Sequence, residues 1–137
     1  MITTTIQIRF SDIDMLGHVN NIILQQYYDL GKVDYFKDVL SMPPIWREVA
    51  FVAVSTATNY FEEVRIEDHV NVITKVTKLG TKSVTFTQEI VDYTTNTIKS
   101  RSESVLVAFD LKLRTSIDIK SSWRDKILDH DSGVITN

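Results

Sequence analysis

The stretch Ile22–Leu40, IILQQYYDLGKVDYFKDVL, decides the fold. Its apolar residues Ile23, Leu24, Tyr27, Tyr28, Leu30, Tyr35, Phe36, Val39 and Leu40 recur at helical spacing and cover more than a narrow stripe. The pattern predicts a long helix that is covered on several sides. Asn20 or Asn21 supplies its N-cap, and Pro43–Pro44 end the segment after it.

Outward from this helix the period changes from 3.6 to 2. Before it, residues 3–10 (TTTIQIRF) alternate, with Ile6, Ile8 and Phe10 on one face and Gln7 and Arg9 on the other, as in a half-buried strand. After Trp46, strands are predicted at Ala50–Phe61, Val70–Lys78, Ser83–Tyr93 and Arg101–Leu113, joined by hairpin-length turns at 79–82 and 94–99. Ser121–His130 reads as a short helix capped by Ser121 or Ser122, and the last seven residues as a frayed tail. This order, strand, long helix and four strands, implies an α+β fold in which an antiparallel sheet of about five strands packs on one helix. It is not an alternating βαβ pattern, and no GxGxxG or P-loop motif is present.

With 137 residues and only four Gly and two Pro, the chain reads as a single domain, 1–137, with no linker or repeat. Eighteen acidic against fifteen basic residues give a net charge of −3, which argues against nucleic-acid binding. No apolar run approaches a membrane span, and residues 1–15 carry Arg9, Asp12 and Asp14, unlike a signal peptide; a cytoplasmic protein without membrane insertion is expected. There is no cysteine, hence no thiolate metal site or catalytic thiol.

The densest group of reactive side chains is Ser11–Asn21, SDIDMLGHVNN, at the junction of strand and helix. Asp12 and Asp14 share a face if the strand persists. Gly17 permits a tight turn, and His18, Asn20 and Asn21 precede a helix start whose free N–H groups attract negative charge. A carboxylate beside such amides suits attack on a carbonyl, as base or nucleophile. The plainer reading, turn formers and caps, applies to the same residues. Asp12, Asp14 and His18 lack the spacing of a zinc or calcium motif, so no metal is expected. His69 and His130 read as solvated.

Arg9–Asn21 followed by Tyr27-Tyr28-Asp29 resembles the opening motif of the hotdog-fold acyl-CoA thioesterases, the 4-hydroxybenzoyl-CoA thioesterase-like proteins to which acyl-ACP thioesterases are related. Residues 57–61, 64–65, 67–68, 79–83 and 108–110 are similar to later parts of the same pattern, so the resemblance covers about residues 3–115. It implies a sheet wrapped around the long helix and hydrolysis of an acyl-CoA or acyl-carrier-protein thioester. Asp14 is then the catalytic carboxylate, with His18 and Asn20 lining its pocket and the amides around Val19 and Asn21 holding the oxyanion. Lys82 and Ser83 fall where relatives hold the phosphates of coenzyme A. Coenzyme A enters as part of the substrate, and no other cofactor is implied. The same resemblance implies a homodimer at least, with a homotetramer the alternative, and the site at the subunit interface.

Plant-type relatives have Asn where this chain has Leu16, the 4-hydroxybenzoyl branch has Pro where it has Met15, and another branch has His where it has Asn21. Asp29, Glu62 and Glu63 therefore stand as alternative carboxylates; the last two are adjacent, so only one would face the pocket in a strand. Phe51, Val54 and Tyr60 are candidates for an acyl pocket. Two other functions fit the fold: an enoyl-thioester hydratase or dehydratase, whose motif sets Asp and His five apart with Asn-Pro between, and a non-catalytic acyl-thioester-binding module.

Overall fold

In the computed structural model, which describes residues 1–136, one long helix lies on one face of a twisted antiparallel sheet. The helix α1 runs Asn21–Leu40. The sheet is formed by β1 (Ile2–Thr5), β2 (Val49–Tyr60), β3 (Val70–Leu79), β4 (Ser83–Asp92) and β5 (Thr97–Asp110), in the spatial order β1-β3-β4-β5-β2. Two short strands are added: β6 (Thr115–Ser116) pairs with β5, and β7 (Ile135–Thr136) runs parallel to β3. The helix α2 spans Ser121–His130. Among the described residues no helix is long and apolar enough to cross a membrane.

The central strands alternate as half-buried strands should: Val84, Phe86, Gln88, Ile90 and Asp92 of β4 are buried, and their neighbours are not. Two apolar clusters line α1. One, near its C-terminus, joins Tyr35, Phe36 and Leu40 to Phe51, Phe86, Leu106 and Ile127. The other, near its N-terminus, joins Leu24, Tyr27 and Tyr28 to Val19, Val64, Val70 and Ile90. Between them the sheet presents the buried polar residues Thr74, Gln88, Ser100, Ser102 and Ser104. The polar band is partly satisfied: Tyr28 OH donates to Ser100 Oγ (2.7 Å), and Gln88 Nε2 donates to Tyr28 O (2.8 Å) and Thr74 Oγ1 (3.0 Å), while Gln88 Oε1 and Ser104 Oγ have no partner among the described residues. Helix and sheet approach closely here, because α1 carries Gly31 opposite Thr74 and Gln88; a Cβ would stand 2.6 Å from Thr74 Oγ1.

Several expectations need correction. The first strand is shorter than 3–10: the chain leaves the sheet after Thr5 and closes a single 3-10 turn at Phe10–Asp12, leaving Phe10 90% exposed rather than in the core. β5 begins at Thr97, because the connection is a tight turn around Asn96, which takes positive φ. α2 is preceded by Lys120 and has no side-chain cap, so neither Ser121 nor Ser122 serves as one. The tail is tied down as far as Thr136; Asn137, the last of the seven residues, lies outside the described ones. Asp131 is buried, where its Oδ2 accepts from Tyr35 OH (2.7 Å) and Val76 N–H (2.9 Å), and β7 comes next.

Candidate active site

Asp12 and Asp14, two residues apart, have different surroundings. Asp12 is 3% exposed. Its Oδ2 accepts from Tyr27 OH (2.6 Å) and Arg9 N–H (3.1 Å), and its carbonyl accepts from Asn20 N–H (3.0 Å). Burial, reinforced by the Asp12 carboxylate, pushes the Tyr27 phenol well above its ordinary pKa, so it stays a donor. Asp12 thus fastens the 3-10 turn to α1.

Asp14 opens a tight turn. Its N–H donates to His18 O (3.0 Å), its carbonyl accepts from Gly17 N–H (3.1 Å), and its Oδ1 accepts from Leu16 N–H (2.9 Å). Gly17 holds the left-handed conformation (φ 85°) that closes the turn. The strand does not persist, so the two carboxylates do not share a face; Asp12 points into the protein and Asp14 lines a cleft. Beyond the turn, Val19 N–H donates to Val64 O (2.7 Å), which ties the start of α1 to the segment after β2.

The cleft has a volume of about 360 Å3. Asp14, Leu16, His18 and Asn21 form one wall, Tyr60–Glu63 the other, and Val19, Leu24 and Val64 the apolar base. Both Glu62 and Glu63 line it, contrary to the alternation expected of a strand, because β2 ends at Tyr60. Arg65 binds Glu63 and holds its carboxyl below the usual range, with His18 adding to the effect. Lys99 is shared between Glu62 (3.4 Å) and Asp68 (3.5 Å). Among the described residues no lysine or arginine lines the cleft itself. Gln25 Nε2 donates to Thr58 Oγ1 (2.9 Å) and Tyr60 OH (3.1 Å), fixing the Tyr60 wall.

The remaining expected site residues divide. Asn20 is the N-cap, and its side-chain oxygen accepts from Ile22 N–H (2.8 Å), so the side chain is occupied with the helix rather than lining the cleft. The Val19 amide is committed to Val64 and is not a free oxyanion donor. The Asn21 amide, at the first position of the helix, donates to no other group of the described chain, and Asn21 lines the cleft. Asp29 is exposed, on a separate groove with Lys32 and Thr58. Phe51 is buried in the aromatic core, and Val54 is exposed on β2; only Tyr60 of the expected acyl-pocket residues reaches the cleft. Ser83 begins β4 and Lys82 precedes it at the level of Phe51, since Lys82 O accepts from Ala108 N–H and Ala108 pairs with Phe51. Tyr60 stands nine positions further along β2 than Phe51, roughly 30 Å away. Within one subunit they do not meet Asp14. Leu16, Leu24, Phe61 and Val64 also line the cleft, and the sequence pattern alone does not single them out; Phe61 and Val64 flank the Glu62–Glu63 pair and mark the strand's exit.

The pattern of the thioesterase-like superfamily matches residues 8–128. The Bacillus subtilis protein YsmA is 29% identical over 80 residues, 58% of this chain and 54% of that protein, so the chain aligns with about half the length of its curated relative. Among solved structures, the PA5185 protein from Pseudomonas aeruginosa superposes with a TM-score of 0.88 at 22% identity, covering 98% of this chain and 94% of that one. A thioesterase from Thermus thermophilus complexed with coenzyme A and zinc gives 0.77 at 24% identity, covering 91% and 90%. A 1,4-dihydroxy-2-naphthoyl-CoA thioesterase from Synechocystis gives 0.77 at 18% identity, covering 94% and 98%. These neighbours establish the hotdog fold for the described chain.

Proposed function

Because this chain belongs to the thioesterase-like superfamily, we propose that it hydrolyses acyl-coenzyme A thioesters to a free acid and coenzyme A, with Asp14 as the catalytic carboxylate. The observation that carries the reading is the placement of Asp14. One oxygen is held by the Leu16 amide, the other is without a partner among the described residues, and the carboxylate shares a cleft with the uncommitted Asn21 N–H at the start of a 20-residue helix. A helix start favours negative charge, which is what a thioester carbonyl oxygen gains on attack.

In this mechanism Asp14 takes a proton from a water whose oxygen adds to the carbonyl carbon. The Asn21 N–H stabilises the oxyanion. The C–S bond then breaks as the carbonyl re-forms, and the thiolate leaves and takes up the proton. Direct attack by Asp14 gives the same products through an anhydride that water opens. A single turnover in heavy-oxygen water separates the two, since label enters Asp14 only in the second. His18 lies beside the cleft, where it orients substrate or water.

The test is thiol release from acetyl-, hexanoyl-, palmitoyl- and benzoyl-CoA by wild type and Asp14→Asn. Asparagine keeps the oxygen that accepts from Leu16, so the turn survives. Loss of at least a hundredfold in rate, about 2.7 kcal/mol of barrier, is expected. Equal activity of the two proteins would remove Asp14 and move Glu62 or Glu63 into its place.

The functional unit in this reading is a homodimer joined through β2. That strand is a 12-residue edge; Val52–Ala57 are exposed in succession, Val54 at 62%, and none of its residues is Lys or Pro, which commonly guard free edges. A second copy pairing antiparallel about a two-fold axis would satisfy it. Val54→Lys is expected to shift the protein to monomer in sedimentation.

A further inference from the structure

We infer that the Tyr60 ring is a stop that limits the acyl group to short chains, and that Gln25 holds the ring in place. The inference rests on the proposed hydrolysis and names the class of acyl group that this site takes. Tyr60 is the last residue of β2. Among the described residues it alone lines both the Asp14 cleft and a second opening, a groove of about 520 Å3 between α1 and β2. The two spaces differ in character. The cleft has the apolar base of Val19, Leu24 and Val64, with Phe61 beside it. The groove beyond Tyr60 is walled by Gln25, Asp29, Lys32, Thr56 and Thr58, with Ala53 its one aliphatic side chain. Lys32 and Asp29 form an ion pair there (3.5 Å). An alkyl tail that ran from the cleft into the groove would strip water from this pair and these hydroxyls and offer no hydrogen bond in return.

Tyr60 is 47% exposed, so packing alone does not fix its ring. Hydrogen bonds do. Gln25 Nε2 donates to Tyr60 OH (3.1 Å) and to Thr58 Oγ1 (2.9 Å), and Thr58 Oγ1 shares a hydrogen bond with Ser102 Oγ (3.0 Å), which is buried in the sheet. This network runs from the sheet interior to the ring and sets where the cleft ends. Its place along α1 gives the length. In the proposed mechanism the thioester carbonyl sits at the Asn21 N–H, and Gln25 follows Asn21 by one helical turn, roughly 6 Å along the axis. With carbon–carbon bonds of about 1.5 Å, a zigzag chain of roughly five carbons spans that distance. A hexanoyl group therefore ends at Tyr60, and a decanoyl group has to displace the ring.

The experiment measures kcat/KM for butanoyl-, hexanoyl-, decanoyl- and palmitoyl-CoA with wild type, Tyr60→Ala and Gln25→Ala, each checked for folding by thermal melting. Wild type is expected to favour hexanoyl- over decanoyl-CoA by at least tenfold. Tyr60→Ala should raise the ratio of decanoyl to hexanoyl turnover at least tenfold. Gln25→Ala, which leaves the ring unheld, should move it at least threefold in the same direction. A merely structural role would lower all chain lengths together and leave this ratio where it is. Palmitoyl-CoA should stay poor in all three proteins, because its tail would still have to pass Asp29 and Lys32. An unchanged ratio in Tyr60→Ala, or a wild type indifferent to chain length, would overturn the stop. An unchanged ratio in Gln25→Ala would overturn the hold, and palmitoyl-CoA rising as far as decanoyl-CoA in Tyr60→Ala would overturn the part given to the polar groove. Each of these leaves the hydrolysis standing. A wild type that cleaves no acyl-CoA, benzoyl-CoA included, would overturn the proposed function and this inference with it.

Discussion

At the C-terminal end of α1, Phe36 packs against Phe51, Trp46 and Phe86 with ring centroids 5.0 to 5.5 Å apart, and Tyr35 meets Phe86 edge-on at 5.2 Å. At the N-terminal end, the side chains facing the cleft include Asp14, His18, Glu62 and Glu63, while the buried Asp12 faces away from it. Both ends of the helix are held by apolar burial, but the aromatic end is filled with rings, whereas the other has its own apolar cluster and presents carboxylates beside it to an open cleft. The candidate chemistry is therefore confined to one end, and substitutions in the aromatic core and at the cleft carboxylates should have separable effects.

The largest effect is expected from Phe86→Ala, in the aromatic end. Truncating a buried Phe costs about 3–5 kcal/mol, read as a fall in the denaturant midpoint. Any protein that remains folded should hydrolyse its substrate at close to the wild-type rate per folded molecule. Asp14→Asn should invert this: roughly 2.7 kcal/mol of barrier lost, with a midpoint moved by less than about 0.5 kcal/mol. If Asp14→Asn unfolds the protein as readily as Phe86→Ala, the separation is wrong and Asp14 is chiefly a turn residue.

Gly31 lies between the two ends and tests their connection. Its replacement by Ala forces a methyl against Thr74, Gln88 and Val72, all under 3 Å, and is expected to cost about 1–3 kcal/mol as the helix lifts from the sheet. A neutral Gly31→Ala would show that α1 can shift along the polar band without loss. The smallest effect is at Asp131, beneath the aromatic end. Burial alone would raise its carboxyl, but the chain's amino group, Tyr35 and Val76 N–H hold it below the ordinary range. A depressed folded pKa stabilises above the unfolded value and is lost as pH falls through the folded one. Acid titration below about pH 4 should therefore cost wild type more stability than Asp131→Asn. Parallel acid profiles would dismiss the clasp.

Local pattern made the main elements legible. The 3.6 period of Ile22–Leu40 and the alternation of β3 and β4 report burial on one face, and both ends of α1 fall within a residue of the reading. The motif at Ser11–Asn21 was legible for the same reason: its turn is closed by neighbours, Leu16, Gly17 and His18, so short-range chemistry specifies it. The failures share a cause. Alternation places Phe10 in the core because it carries no sign of where a strand stops, and the tail reads as frayed because Asp131's partners, Tyr35 and Val76, lie far away in sequence. The placing of Asn20 in the cleft and of the Val19 amide as a free oxyanion donor fails on hydrogen bonds to Ile22 and Val64 that spacing alone does not separate from free groups.

The amino-acid sequence by itself determined one long helix, an antiparallel sheet on it, and a carboxylate at the helix start, because periodicity, caps and tight turns are interactions between near neighbours. Tertiary structure decided which aspartate is buried and which faces a cleft, that Glu62 and Glu63 both reach it, and that Lys82 does not. Those outcomes depend on contacts between segments distant in the chain, where a hydrogen bond such as Tyr27 to Asp12 or Val19 to Val64 forms only after the sheet has closed around the helix.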